Sequence, residues 1–284
     1  MEEKYFPQGY ASTQGVLITS LIGISASFIL PLFYIILGRL IPNIWFIAIC
    51  ALLLGMFLGF MVDLGIKIGK VRNFKVALSI AIICGLLAFY VQWVFFDAII
   101  YSRRGFTFNQ SAADLKQLIS DMGFLFIRPV TLFNEIAALN EMGTFRIERT
   151  QTVSGALLWL IWAGEFVVIV GSTIYVVATG QVKKPYSELN DEWMKPRKPN
   201  LFIPQVSDKD HFLTQIQNRN FDVLKNNPEV LERSDYAEVL VYESIGDSVK
   251  YITVINVNVP STKKKEVKKK NVVTHFPIPN NANV

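Results

Sequence analysis

The chain has only two cysteines and two histidines in 284 residues. Cys50 and Cys84 both fall inside long apolar runs, so they build no disulfide framework and no metal-ligand spacing. His211 and His275 are solitary, and no nucleophile–base constellation connects either of them to a serine or an acid. Phosphate-cradling glycine loops are missing too, so neither a cofactor nor a metal is expected. The most informative scarcity is charge. None occurs from Gly15 to Gly38 or from Ile41 to Val62, and from Thr150 to Val182 Glu165 is the sole charged side chain.

About 20 apolar residues suffice to cross a bilayer as a helix. Four spans are therefore expected, over about residues 15–38, 41–62, 76–101 and 152–178. The first holds Pro31, which removes a backbone donor and favours a kink. Glu2, Glu3 and a lone Lys4 precede it, and its apolar run is longer than the ~7–15 residues of a leader's core. A retained first span is expected rather than a cleavable leader. Composition shifts near Lys183, which separates a membrane domain over 1–182 from a linker over 183–204 and a polar tail domain over 205–284.

Basic residues set the expected orientation. Lys67, Lys70, Arg72 and Lys75 crowd the turn between the second and third spans, and Lys183, Lys184, Lys195, Arg197 and Lys198 follow the fourth. Short Lys/Arg-rich loops stay cytoplasmic, so both termini are expected inside a bacterial inner (plasma) membrane. Arg103 and Arg104, at the end of the third span, oppose this weakly. The net charge of +5 is read as membrane flanks and not as a nucleic-acid surface.

An ionisable group at mid-membrane depth costs about 2.5–3.5 kcal/mol on insertion scales and usually faces protein or water. Counting 1.5 Å per residue back from Arg103 brings Gln92 to about the depth of Glu165, which makes Gln92 its first candidate partner. Trp162 and Trp159 precede Glu165 by about one and two turns. Asp97 is shallower, within reach of Arg103 or Arg104. Three readings of Glu165 stay open: a protonated carboxyl bonded across helices, the lining of a polar cavity for a proton, an ion or a cationic substrate, and a contact with a charged partner protein. Gly55 and Gly59, four apart, form a small-residue face that lets helix backbones approach.

Residues 103–150 are too long for a plain loop. Ser111 and Asp114 mark a helix start, and Leu115, Leu118, Ile119 and Met122 recur as a stripe that Gly123 interrupts. Pro129 opens a second helix with Val130, Phe133, Ile136 and Ala137 on its apolar face. The pair is expected to lie on the outer membrane surface or to cap the bundle. Gly143 to Thr150 reads as an extended piece. In the tail, Phe212, Ile216, Phe221 and Leu224 suggest one short helix. Tyr236–Ser244 and Lys250–Val259 flank Gly246-Asp247 as a hairpin. A last strand over Asn271–Pro277 would complete a small α+β unit of two or three strands. Lys263, Lys264, Lys265, Lys268, Lys269 and Lys270 form the most basic patch, read as a solvated connection that can meet anionic lipid or a partner.

The stretch GTFRIERTQTVSGALLWLIWAGE, Gly143 to Glu165, resembles a pattern in uncharacterised bacterial multi-pass membrane proteins. There a G-T-W-like strand leads through a small-residue turn into a helix carrying W-x-x-E, here Trp162 to Glu165 with Gly155 before it. The resemblance spans about residues 15–190 and implies no known activity. A cysteine that similar proteins carry after the last span is lacking in the segment Lys184-Pro185-Tyr186-Ser187-Glu188. The fold class expected is membrane all-α: a four-transmembrane-helix bundle with outer amphipathic helices plus a small C-terminal α+β soluble domain. The expected role is a non-enzymatic scaffold or accessory subunit, with a small transporter or channel-like subunit as the alternative. Its expected partners are the lipid bilayer, a cytoplasmic protein met by the tail, and a second copy of the chain.

Overall fold

The computed structural model describes residues 9–41, 43–101, 111–143, 145–147, 151–198, 200–232, 235–260 and 267–282. Glu2, Glu3, Lys4, Arg103, Arg104, Thr150 and Lys263–Lys265 lie outside them. Contact density divides the chain at Val182/Lys183 into two compact units.

In the first unit, α1 (Thr13–Leu40), α2 (Ile44–Gly69) and α3 (Phe74–Tyr101) follow one another through short turns. Next come α4 (Ala112–Phe126), α5 (Pro129–Met142), a small ribbon of β1 (Phe145–Ile147) and β2 (Gln151–Val153), and α6 (Gly155–Thr179). Among the described residues, four helices are long and apolar enough to cross a membrane. At 1.5 Å per residue, the 28 residues of α1 reach about 42 Å, against a hydrocarbon core of about 30 Å. Each of these helices keeps large apolar side chains on its outer face, among them Leu21, Phe33, Trp45 and Val167. That pattern suits a lipid surround and would be costly in water.

Capping fixes the helix ends. The Ser12 hydroxyl accepts the Gly15 N–H at 3.0 Å, and Asn43 Oδ1 accepts the N–H groups of Trp45 and Phe46. Helix α1 continues through Pro31. Helix α2 runs seven residues past the expected end at Val62 and stops at Gly69, where Lys70 takes a left-handed φ of 54°. Asp63 is tolerated inside α2 because its carboxylate accepts the Gln181 N–H at 2.6 Å, just beyond the end of α6. The fourth helix begins three residues later than expected, since Thr152 belongs to β2 and Gly155 (φ +66°) makes the turn out of the ribbon.

Backbone approach holds the bundle. A Cβ on Gly55 would lie 2.0 Å from Ser172 Oγ and 2.3 Å from the Ile169 carbonyl, and one on Gly59 would lie 2.7 Å from Val176 Cβ. Thus Gly55 and Gly59 face α6, and the Thr173 hydroxyl donates to the Gly55 carbonyl at 3.0 Å across the gap. On another side of α2, Gly69 meets Gly15 of α1 backbone to backbone. Between α1 and α3 the Ser27 hydroxyl donates to the Cys84 carbonyl at 3.0 Å. Small residues at these crossings exchange side-chain volume for close van der Waals contact, the main source of association between helices in lipid.

Two readings of the 103–150 segment change. Helix α4 passes through Gly123 to Phe126, and its buried positions are Leu118 and Leu125, while Leu115 and Ile119 point outward. On α5, Leu132, Leu139 and Asn140 are buried and Val130 and Phe133 are exposed. Apolar periodicity locates the protein-facing side only when the other side meets water. The two helices are bent by 104° at Ile127–Arg128.

The second unit holds two short strands, β3 (Tyr186–Ser187) and β4 (Glu192–Trp193), and a five-stranded antiparallel sheet. The sheet is built from β5 (Lys195–Pro196), β6 (Leu201–Pro204), β7 (Asp235–Glu243), β8 (Val249–Asn258) and β9 (Lys268–Pro279). Helix α7 (Lys209–Gln217) lies between β6 and β7 in sequence. Both β5 and β6 pair with the same edge of β7, β8 lies on its other side, and β9 is outermost. The hairpin turns at Gly246 (φ +82°), with Tyr242 opposite Tyr251.

Part of the range expected as a linker, 183–204, is therefore in the sheet, since Lys195–Pro196 and Leu201–Pro204 pair with β7. Pro196 and Pro204 sit in strands that pair on one side only, where a missing N–H is tolerated. Phe221–Leu224 is a separate 3-10 turn, not a continuation of α7, because Arg219 adopts φ +60°. The last strand starts earlier than expected: Lys268–Lys270 pair with β8, and Lys269 Nζ meets Glu238 at 3.1 Å. Lysine on an outer strand keeps that edge solvated and discourages pairing with other chains. Leu201, Ile203, Phe212, Ile216, Leu224, Val239, Ile252 and Phe276 fill the core between sheet and helix.

Candidate functional site within the helical bundle

Glu165 sits about 15 Å along α6 from Gly155, Gln92 about 13 Å from the end of α3, and Tyr34 about 9 Å from the end of α1. The three side chains converge. Gln92 Nε2 donates to Glu165 Oε1 at 2.8 Å, and the Tyr34 hydroxyl donates to the same oxygen at 2.5 Å. One carboxylate oxygen thus joins α1, α3 and α6. Tyr34 and Gln92 are buried and Glu165 is half-buried.

Aromatic rings surround the node. Trp162 is buried three residues before Glu165, edge-on to Trp93 at 4.8 Å and to Trp159 at 5.2 Å between ring centroids. Phe89 and Phe166 meet at 5.0 Å. Edge-to-face pairs of this kind contribute about 0.5–1.5 kcal/mol each beyond area burial, and they hold Gln92 and Glu165 at one depth. Gln92 Oε1, on a residue only 2% exposed, has no hydrogen-bond partner.

Asp97 does not join this node. It is 2% exposed, its Oδ1 has no hydrogen-bond partner, and its electrostatic neighbour is Glu135 of α5. The expected pairing with Arg103 or Arg104 falls on residues outside those described. Gly55 and Gly59 serve α2–α6 packing, as above. Of the six lysines, Lys268, Lys269 and Lys270 lie on β9 and Lys263–Lys265 are not described.

Tyr34 escapes the depth count from Arg103, which runs along the third span only. The signal was partial: Tyr34 is the only phenol in the first span, but five residues from Arg39 put its Cα at only about 7.5 Å, and its long side chain covers the remaining depth. Chemically the node is an acceptor flanked by two donors. Among the described residues, no group of three His, Cys, Asp or Glu side chains could hold a metal.

The second unit has an open cleft of about 710 Å³ lined by Asp208, His211, Gln215, Asp222, Lys225 and Asn226 among others. Several of its polar groups are held by bonds within the unit. Asp208 caps α7 by accepting the N–H groups of Asp210 and His211, Asn226 Oδ1 accepts the Phe202 N–H at 2.9 Å, and His211 bonds Gln215 at 2.9 Å. His275 occupies an irregular point of β9, where its N–H donates to Thr253 Oγ1 and its ring meets Tyr242. Compared with family models, curated proteins and solved structures, the chain matches none.

Proposed function

We propose that the chain is a four-span plasma-membrane protein that acts without catalysis, as a scaffold or accessory subunit whose sheet unit meets a cytoplasmic protein. The finer architecture of this reading is a transmembrane bundle with two outer helices and a soluble α+β tail. Both termini lie in the cytoplasm, on the strength of the basic residues at Lys67–Lys75 and after Val182. The observation that carries the reading is the use of Glu165: its Oε1 is occupied by donors from two other helices. A carboxyl held in that way orders the bundle, and a rigid bundle is what an anchored docking domain requires.

A small transporter or channel-like subunit is the second reading. Gln92 Oε1 favours it, because an unpartnered buried oxygen beside a carboxyl is a place for water or a donor group on a cargo.

Glu165→Gln separates the two. Under the scaffold reading the variant loses about 1 kcal/mol of stability, in the range measured for hydrogen bonds between helices in bilayers. Vesicles containing the unaltered protein carry no proton or cation flux. Flux in the unaltered protein that disappears in a variant of unchanged stability would favour transport instead. Co-purification from mild detergent tests the partner, and loss of a reproducible partner when the sheet unit is unfolded is the expected result.

A further inference from the structure

The α4–α5 elbow reaches far along the bundle. The Tyr90 hydroxyl donates to the Phe126 carbonyl at 2.8 Å and lies 3.4 Å from that of Leu125, in the last turn of α4. The Phe126 ring meets Tyr90 at 5.5 Å and Phe28 at 5.6 Å. Tyr90 is about 16 Å from the end of α3, and Phe28 about 18 Å from the end of α1. Two contacts on different helices therefore give the elbow one depth, close to that of the Glu165 node.

The bend agrees with this. Arms of 15 and 14 residues are each about 22 Å long. Folded back by 104°, they make a V whose tip enters the bundle from the end where α4 begins and α5 finishes. At the mouth, Asn140 of α5 donates to the Gly155 carbonyl at 3.1 Å. Non-helical backbone at membrane depth needs its polar groups satisfied by protein, and Tyr90 does that for the carbonyls at the break.

The outward side of the tip is apolar. Ile127 and Val130 are each 73% exposed, with Phe124 and Phe133 exposed beside them. Beside these side chains Arg128 lays its guanidinium over the Phe124 ring at 3.9 Å, on the arm leading back toward the membrane surface. A lipid-exposed arginine at depth turns toward the interface and draws phosphate or water to it.

The geometry points to a re-entrant hairpin whose tip is occupied by a phospholipid, with acyl chain against Phe124, Ile127 and Val130 and phosphate on Arg128. This rests on the membrane reading, and the test keeps the two apart. Nitroxide labels are placed singly at Ile127→Cys and at Val167→Cys, on the exposed face of α6, in full-length protein with Cys50→Ala and Cys84→Ala, in phosphatidylglycerol nanodiscs. Both labels should collide with oxygen and be shielded from a water-soluble nickel chelate. Nickel access at 127 with shielding at 167 overturns the hairpin and leaves the spans intact, whereas nickel access at both sites overturns the membrane reading itself. Native mass spectrometry of Arg128→Gln should show loss of a phosphatidylglycerol retained by the parent protein. Unchanged retention overturns the phosphate contact.

Discussion

Gly55→Leu should disrupt the bundle. The added side chain meets the Ile169 carbonyl, and a backbone oxygen cannot rotate aside as a side chain can. Helices α2 and α6 must therefore separate, losing the Thr173–Gly55 hydrogen bond and the neighbouring contact at Gly59. Overpacking usually costs about 1–3 kcal/mol and sometimes more, and this crossing has little freedom to relax. We expect a large fall in melting temperature and loss of a monodisperse peak in detergent. Gly164→Leu and Gly171→Leu are the controls: both positions are on α6 with nothing within 4 Å of an added Cβ, so neither should matter. An unaffected Gly55→Leu protein would mean that the two helices do not approach as described.

Ile252→Ala should unfold the sheet unit selectively. Ile252 is fully buried in β8, opposite Val241 on one side and Phe276 on the other. Removing a buried side chain of that size costs about 2–5 kcal/mol, depending on how far the cavity collapses. Because the chain divides at Val182/Lys183, the loss should stay local. Limited proteolysis of the variant should digest residues after 183 and leave a protected helical fragment with its melting temperature unchanged. Concerted loss of both units would refute their independence.

The four long helices are legible in the sequence because charge is absent from the first three over more than 20 residues at a time and the fourth holds Glu165 alone, a pattern that few other environments permit. Their ends are less so. Asp63 and Lys67 look like a boundary, yet α2 continues because the carboxylate finds the Gln181 N–H. Depth counting leads to Gln92 because a polar amide is conspicuous among leucines and phenylalanines. Tyr34 is hidden because one hydroxyl on an aromatic ring is counted with the apolar residues around it. The packed faces of α4 and α5 cannot be read from periodicity, since Ile127, Val130 and Phe133 are as apolar as the buried Leu125 and Leu132. In the second unit the Gly246-Asp247 turn announces its hairpin. Strands β5 and β6 are concealed by their prolines and the start of β9 by its lysines, residues that outer strands accept and central strands reject.

Glu165 joins helices by accepting hydrogen bonds from α1 and α3. The most direct measurement is a double-mutant cycle of Tyr34→Phe and Glu165→Ala, read as unfolding free energy of the full chain in bilayer-like micelles. The predicted result is non-additive losses with a coupling of about 0.5–1.5 kcal/mol, as for other hydrogen bonds between membrane helices. Losses that add to within a few tenths of a kcal/mol would contradict it.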